Sequence, residues 1–188
     1  MTRILGIDPG LTRCGVGVID LAAGRRVNLV SVDVYRSEPS LELSARIASI
    51  GNRIEALIEH AKPDVIALER VYADVNVRSV MGTAQISGVV LLLAARHGLP
   101  IALHTPTEVK AAVTGSGRAD KAQVGNMVAK ILGLPEVPKP ADAADSLAIA
   151  ICHAWRGAAA TAAESDQLTP AQRAWQQAER LAARKREG

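Results

Sequence analysis

The 188-residue sequence predicts an α/β fold: a five-stranded mixed sheet, part antiparallel meander and part parallel, flanked by helices. Three observations predict it. Residues 3–36 hold three runs of strand character separated by turn residues. Beyond Ser40 the apolar period lengthens to that of a helix. From there, short apolar runs alternate with capped helical segments, the pattern of units that feed a parallel sheet.

The elements follow in order. RILGID at 3–8 is a β-rich run ending on a carboxylate. PGLTRCG is turn material, and GVGVID at 15–20 alternates beyond it. Residues 25–36 alternate again through Val27, Leu29, Ser31, Asp33 and Tyr35. Between Ser40 and Ala61, Ile47, Ile50, Ile54, Leu57 and Ile58 fall at helical spacing, with Ser40 the expected N-cap. DVIALE at 64–69 is a continuous apolar run, as a central parallel strand buried on both faces requires. A helix over 76–97 stops at Gly98, and PIALH at 100–104 supplies the fifth strand. Thr105-Pro106-Thr107-Glu108 is a capping box with proline in the first turn, opening a helix over 106–114 that GSG at 115–117 closes. Asp120 and Gln123 repeat the box for a helix to Leu132, with Gly133 after it. LPEVPKP at 134–140 is a stiff connection to a last core helix from Asp142 to about Arg156. GAAATAAESDQ then reads as a linker, and Thr169 caps one more amphipathic stretch. The expected division is a catalytic domain over 1–157 and a basic tail over 158–188, disordered or loosely helical.

Composition narrows the class. A hydrophobic fraction of 48% with 22% charged residues is globular rather than disordered. There is no Phe, and the aromatics are Tyr35, Tyr72, Trp155 and Trp175, so the core is aliphatic. No apolar leader follows Met1, and GVVLLLAA at 88–95 is far short of the ~20 residues that span a bilayer. Cys14 and Cys152 form no motif. These features lead us to expect a cytoplasmic protein with no membrane contact. The formal net charge of +3 resides wholly in residues 170–188, so the rest is balanced. Neutralising four of its carboxylates with bound metal would leave that body positive, as a polyanionic partner requires.

Four acids depart from ordinary surface charges. Asp8 and Glu69 each end an apolar strand, where an open α/β sheet places its ligands. A solvated strand end, or an ion pair of Asp8 with Arg13 or Glu69 with Arg70, is the ordinary alternative. Asp142 and Asp145 open a helix, where capping and the macrodipole favour acids. Being three apart, they also share one helix face. No His/Cys metal pattern is present, and oxygen-only ligands point to Mg²⁺ or Mn²⁺ rather than zinc. Four carboxylates suit two-metal phosphodiester hydrolysis, with ions ~3.5–4 Å apart.

ILGIDPG with GVGVI, then ALERVY, GSGRADKAQV and ADAADSLAIAICH resemble, in order and spacing, the RuvC family of Holliday-junction resolvases. The resemblance covers about residues 3–156. It implies an RNase H-like fold, a homodimer, and Mg²⁺-dependent symmetric nicking of four-way DNA junctions. It places the family's catalytic acids on Asp8, Glu69, Asp142 and Asp145. Some members carry His at the first acid of the final pair, and this chain keeps Asp. Tyr72 stands where the family usually has a Phe that stacks on bases at the junction centre, and a Tyr retains the π-face. Lys110 and Lys121 match basic positions of the family. Lys121 also sits in a first helical turn, against the macrodipole, as a residue held for a site rather than for its helix. Arg118, in the Gly-Ser-Gly region, is a further candidate for phosphate. By the same resemblance a branch-migration motor is an expected partner.

The helix over 76–97 carries apolar residues on too many sides for one sheet face, Met81, Leu91, Leu92 and Leu93 among them. Its small residues Gly82, Ala84, Ser87 and Gly88 permit close approach of another helix, so it is the expected dimer surface. Three alternatives remain. A YqgF-like nuclease acting on structured RNA shares the IDPG start but is usually shorter. An actin-like kinase or ATPase needs two such domains, which 188 residues do not supply. A non-catalytic junction binder has no need of the four acids.

Overall fold

The computed structural model describes residues 1–70 and 77–165, the side chains of 77–79 and 157–165 excepted. Five strands, β1 (Thr2–Asp8), β2 (Arg13–Leu21), β3 (Val27–Arg36), β4 (Val65–Glu69) and β5 (Ile101–His104), form one sheet in the order β3-β2-β1-β4-β5. The first three make the antiparallel meander, while β4 and β5 extend it in parallel from β1. This is the predicted mixed sheet. Five helices complete the fold: α1 (Leu43–Ala61), α2 (Val77–Arg96), α3 (Pro106–Thr114), α4 (Lys121–Leu132) and α5 (Ala141–Ser165).

Strand alternation divides the core in two. Leu5, Ile7, Val16, Val18, Ile66 and Leu68 face α1 and α2, where Ile50, Ile54, Ile86 and Val90 close the layer. Ile4, Ile19, Val65 and Ala67 face the other way, against Val113, Val128, Leu147 and Ile151 of α3, α4 and α5. Fully buried Ile and Leu side chains on both faces each stabilise by ~1.5–3 kcal/mol, which explains how a core with almost no aromatics holds.

Glycine sets how closely α5 approaches. A Cβ on Gly6 would collide with the Ser146 carbonyl, one on Gly15 with the Asp142 carbonyl, and one on Gly17 with Leu147. The helix therefore lies with its backbone directly on β1 and β2. The capping boxes predicted at Thr105 and Asp120 both form, with Glu108 and Gln123 reaching back to the cap N–H groups.

Several boundaries differ from expectation. Ser40 does not cap α1: its hydroxyl bonds Glu38, and the helix opens at Glu42 without a side-chain cap. Residues 23–25 form a 3-10 turn, so β3 begins at Val27. Asp142 is not the N-cap of α5, because the helix starts at Ala141 and Asp142 lies in its first turn. Nor are residues 157–165 a linker. They continue α5, as an alanine-rich stretch with the best intrinsic helix former should.

The compact body is Met1–Trp155, and Arg156–Gly188 form a separate unit whose backbone is described to Ser165. Thr169, Trp175 and the basic residues of the tail lie outside the described residues. No helix among the described residues is long and apolar enough to cross a membrane.

Candidate active site

The four acids meet at one end of the sheet. Ile7 pairs with Leu68 across the parallel β1–β4 ladder, so Asp8 and Glu69, each one residue further on, emerge side by side. Alternation puts both on the face that α5 covers. Asp8 follows Ile4 and Gly6 on that face, and Gly6, with Gly15 opposite Asp8 on β2, lets the start of α5 come down onto the strands. Asp142 and Asp145, in the first two turns of α5, arrive there as a consequence.

The electrostatics record this proximity. Asp8 is pushed up to about 8, first by burial and then by the charges of Glu69, Asp145 and Asp142. Burial raises Glu69 as well, with Asp145 adding repulsion and Lys121 and Lys110 opposing it. Asp142 and Asp145 are each turned towards a cation. Arg13 Nε lies 3.0 Å from Asp142 Oδ2, and Lys121 Nζ lies 3.1 Å from Asp145 Oδ2. The Asp145 carboxylate in turn holds the Lys121 ammonium above its ordinary value. The first-turn lysine that opposes its own helix dipole is thus accounted for by an acid on a different helix.

Two clefts open on either side of Asp8. One, of about 290 Å³, is lined by Asp8, Glu69, Asp145, Lys110 and Lys121, with apolar walls from α3, α4 and α5. The other, of about 520 Å³, runs from Asp8 and Asp142 along the loop 9–12 to Arg13 and Arg46. Lys110 and Lys121, which the family resemblance singles out, line the same cleft as Asp8, Glu69 and Asp145. Arg118 is exposed in the loop before α4 and lines neither cleft. Tyr72 lies outside the described residues. Arg46 was missed by the sequence reading, and Arg13 entered it only as an ordinary ion-pair partner for Asp8, whereas the structure pairs it with Asp142. The signal for Arg13 was its position five residues past Asp8, on the strand antiparallel to β1. Arg46, on α1, gave none.

As they stand, no three Asp, Glu, His or Cys side chains among the described residues converge tightly enough to cage an ion. The donor set nonetheless fits a hard divalent cation. It is all carboxylate, and Asp8 is held uncharged by burial and by acids it cannot escape, a cost that a bound cation removes.

Comparison with known proteins agrees with this geometry. The family model described as "Crossover junction endodeoxyribonuclease RuvC" matches residues 4–153. The curated RuvC of Leifsonia xyli subsp. xyli is 56% identical, covering 97% of this chain and 94% of its own length. That of Saccharopolyspora erythraea is 60% identical over 82% of this chain and 77% of its own. The solved structure of T. thermophilus RuvC in complex with Holliday junction substrate superposes with a TM-score of 0.79 at 32% identity, covering 84% of this chain and 95% of that one. A family model matching residues 4–153, relatives at 56–60% identity and the shared sheet lead to one conclusion: the chain belongs to the RuvC family of crossover junction endodeoxyribonucleases.

Proposed function

We propose that this protein is a structure-selective endonuclease that resolves four-way DNA junctions by paired, symmetric nicks during recombination and repair. The observation that carries the proposal is the meeting of Asp8, Glu69, Asp142 and Asp145 from two strands and a helix, in a chain of this family. Nucleases of the family depend on a divalent metal. We assign the four carboxylates as its holders and Mg²⁺ as the ion, two per site, with Mn²⁺ as a substitute. Held by these carboxylates, a divalent ion would supply Lewis acidity for phosphodiester hydrolysis.

The chain's own residues do the rest. Asp8 lines both clefts, and with Glu69, Asp142 and Asp145 it would hold the metal. Asp142 and Asp145, now paired with Arg13 and Lys121, would hold metal in their place, and we assign the Lys121 ammonium beside them to a phosphate oxygen. Lys110 shares the Lys121 cleft and neutralises charge beside Glu69. Tyr72 stacks on a base at the junction centre, a contact worth ~1–3 kcal/mol, and Arg118 adds a backbone contact at the rim.

Two matched cuts require two sites, and we assign the dimer surface to α2. Its inward residues Ile86, Val90, Leu93 and Ala94 are buried. Met81, Leu91 and Leu92 are about half exposed, and with Ala84, Gly88 and Ala95 they make one apolar stripe. Gly88 is open to a neighbour, whereas Gly82 is already packed under Leu11 of its own chain. A branch-migration motor is the expected further partner, and the cytoplasm the expected location.

The test is cleavage of a synthetic four-way junction against structured RNA, with Mg²⁺. Paired nicks in the junction support the reading, and preference for the RNA overturns it. Asp8→Asn should retain junction binding and abolish cleavage.

A further inference from the structure

We infer that the cleft on the Arg13 side of Asp8 is a second phosphate-binding site for the DNA strand being cut, with Arg46 and Arg13 as its donors. This rests on the nuclease reading above and extends it to a part of the surface that the lysines do not reach.

Arg46 is the key residue. From the first turn of α1 its Nε donates to Ser37 Oγ at 3.0 Å, and a terminal nitrogen donates to Thr12 Oγ1 at 3.0 Å. Ser37 Oγ in turn donates to the Leu11 carbonyl at 2.5 Å. The guanidinium is thus fixed by neutral hydroxyls, and among the described residues it has no carboxylate partner. A guanidinium carries five N–H donors in a fixed fork that matches phosphate. Two are engaged here, and among the described residues the charge has no ion-pair partner within reach, although Asp8 and Asp142 line the same cleft. Holding a cation in place without a counter-ion is an anion-binding arrangement rather than a structural ion pair.

Arg13 adds the second charge. Its Nε meets Asp142, while the side chain as a whole is 57% exposed and lines the same cleft. The loop between Asp8 and Arg13 forms the cleft wall. It is tight, because a Cβ on Gly10 would collide with the Arg13 carbonyl. No aromatic side chain lines the cleft among the described residues, so it offers a base no platform and a phosphate several donors.

The two clefts are arranged alike about Asp8. On each side an acid of α5 is paired with one cation, and a second cation stands nearby: Asp145 with Lys121 and Lys110, Asp142 with Arg13 and Arg46. A strand whose reacting phosphate lies at Asp8 carries a further phosphate in each direction. The lysines take one neighbour and the arginines the other.

The experiment measures binding of the full-length protein to a synthetic four-way junction, with divalent ions chelated so that binding is read apart from cleavage. Arg46→Gln keeps a donor for Ser37 but removes the charge. The expected result is affinity about 5–10-fold weaker at 0.1 M salt and a log–log salt slope smaller by about one, as loss of one phosphate contact requires. Arg46→Lys should restore the slope, and Arg13→Gln should lower it like Arg46→Gln. Single methylphosphonates along the cleaved strand locate the contact: the one that weakens wild-type binding should have no effect on Arg46→Gln. An unchanged slope and methylphosphonate pattern in both glutamine variants, at unchanged melting temperature, overturns the inference alone. Failure of the wild type to bind any four-way junction overturns the nuclease reading itself.

Discussion

Asp8→Asn should make the metal-free protein more stable at alkaline pH while removing its response to divalent ions. Folding raises the Asp8 carboxyl from 3.8 to about 8. Between those values the native state holds a proton that the unfolded chain has lost. The stability linked to this proton is fully present below pH 3.8 and disappears as pH rises through about 8. In full it amounts to on the order of 5 kcal/mol. His153 complicates the acid side, because burial holds its imidazole below 6.5 and its forced protonation destabilises the fold there. The informative window is therefore pH 6.5–8, which carries about 1.5–2 kcal/mol of the Asp8 effect. For a chain of this size that is a fall of roughly 3–8 °C in melting temperature. Glu69 is shifted in the same direction and remains in the variant. The assay is thermal unfolding in chelator at pH 6.5, 7, 7.5 and 8, repeated with Mg²⁺. The wild type should lose stability across the window and regain it with Mg²⁺, while Asp8→Asn should change little in either respect. An equal fall in the variant, or a wild type as stable at pH 8 as at 6.5, would refute the electrostatic account of Asp8.

Further predictions concern the helix, its seat and the free face. Asp145→Asn removes a pairing with the largely exposed Lys121 and also the repulsion that Asp145 exerts on Asp8 and Glu69, two opposing effects, so unfolding should shift by no more than ~1 kcal/mol while junction cleavage is lost. Gly15→Ala forces a methyl into the Asp142 carbonyl and should lift the start of α5, destabilising by ~1–3 kcal/mol and reducing cleavage without loss of any acid. Met81→Glu combined with Leu92→Glu should convert dimer to monomer in sedimentation, with the melting temperature of the body little changed because both side chains are about half exposed. Persistence of the dimer would place its surface elsewhere. Thr105→Ala should cost ~1 kcal/mol, measured in denaturant, through loss of the α3 cap.

Local chemistry explains which parts of the fold were legible in advance. The two capping boxes are short-range hydrogen-bond patterns, complete within four residues, and both formed where the sequence put them. Strand β4 declared itself by a continuous apolar run, since both faces of a central strand are covered, and β1 by a β-rich run ending on a carboxylate. Ser40 and Asp142 misled for a common reason. Capping residues are permissive, and where a helix begins depends on how the preceding chain enters it: Ser40 found Glu38, and α5 began one residue before Asp142. The extension of α5 past Arg156 was masked by reading small residues as a linker, although alanine favours helix.

By itself the sequence indicated the order of elements and pointed to four candidate acids, because strand ends and helix starts are written in local patterns. Family resemblance added Lys110 and Lys121. Only the tertiary structure decided how those charges are divided. The β1–β4 register sets Asp8 beside Glu69, and glycines at 6, 15 and 17 admit α5 to the sheet. Arg13 then reaches Asp142 rather than Asp8, and Arg46 crosses from α1 to the rim of the same cleft. Such pairings join residues far apart in the chain. Their partners are fixed by packing distance and not by spacing, and for that reason no linear pattern announces them.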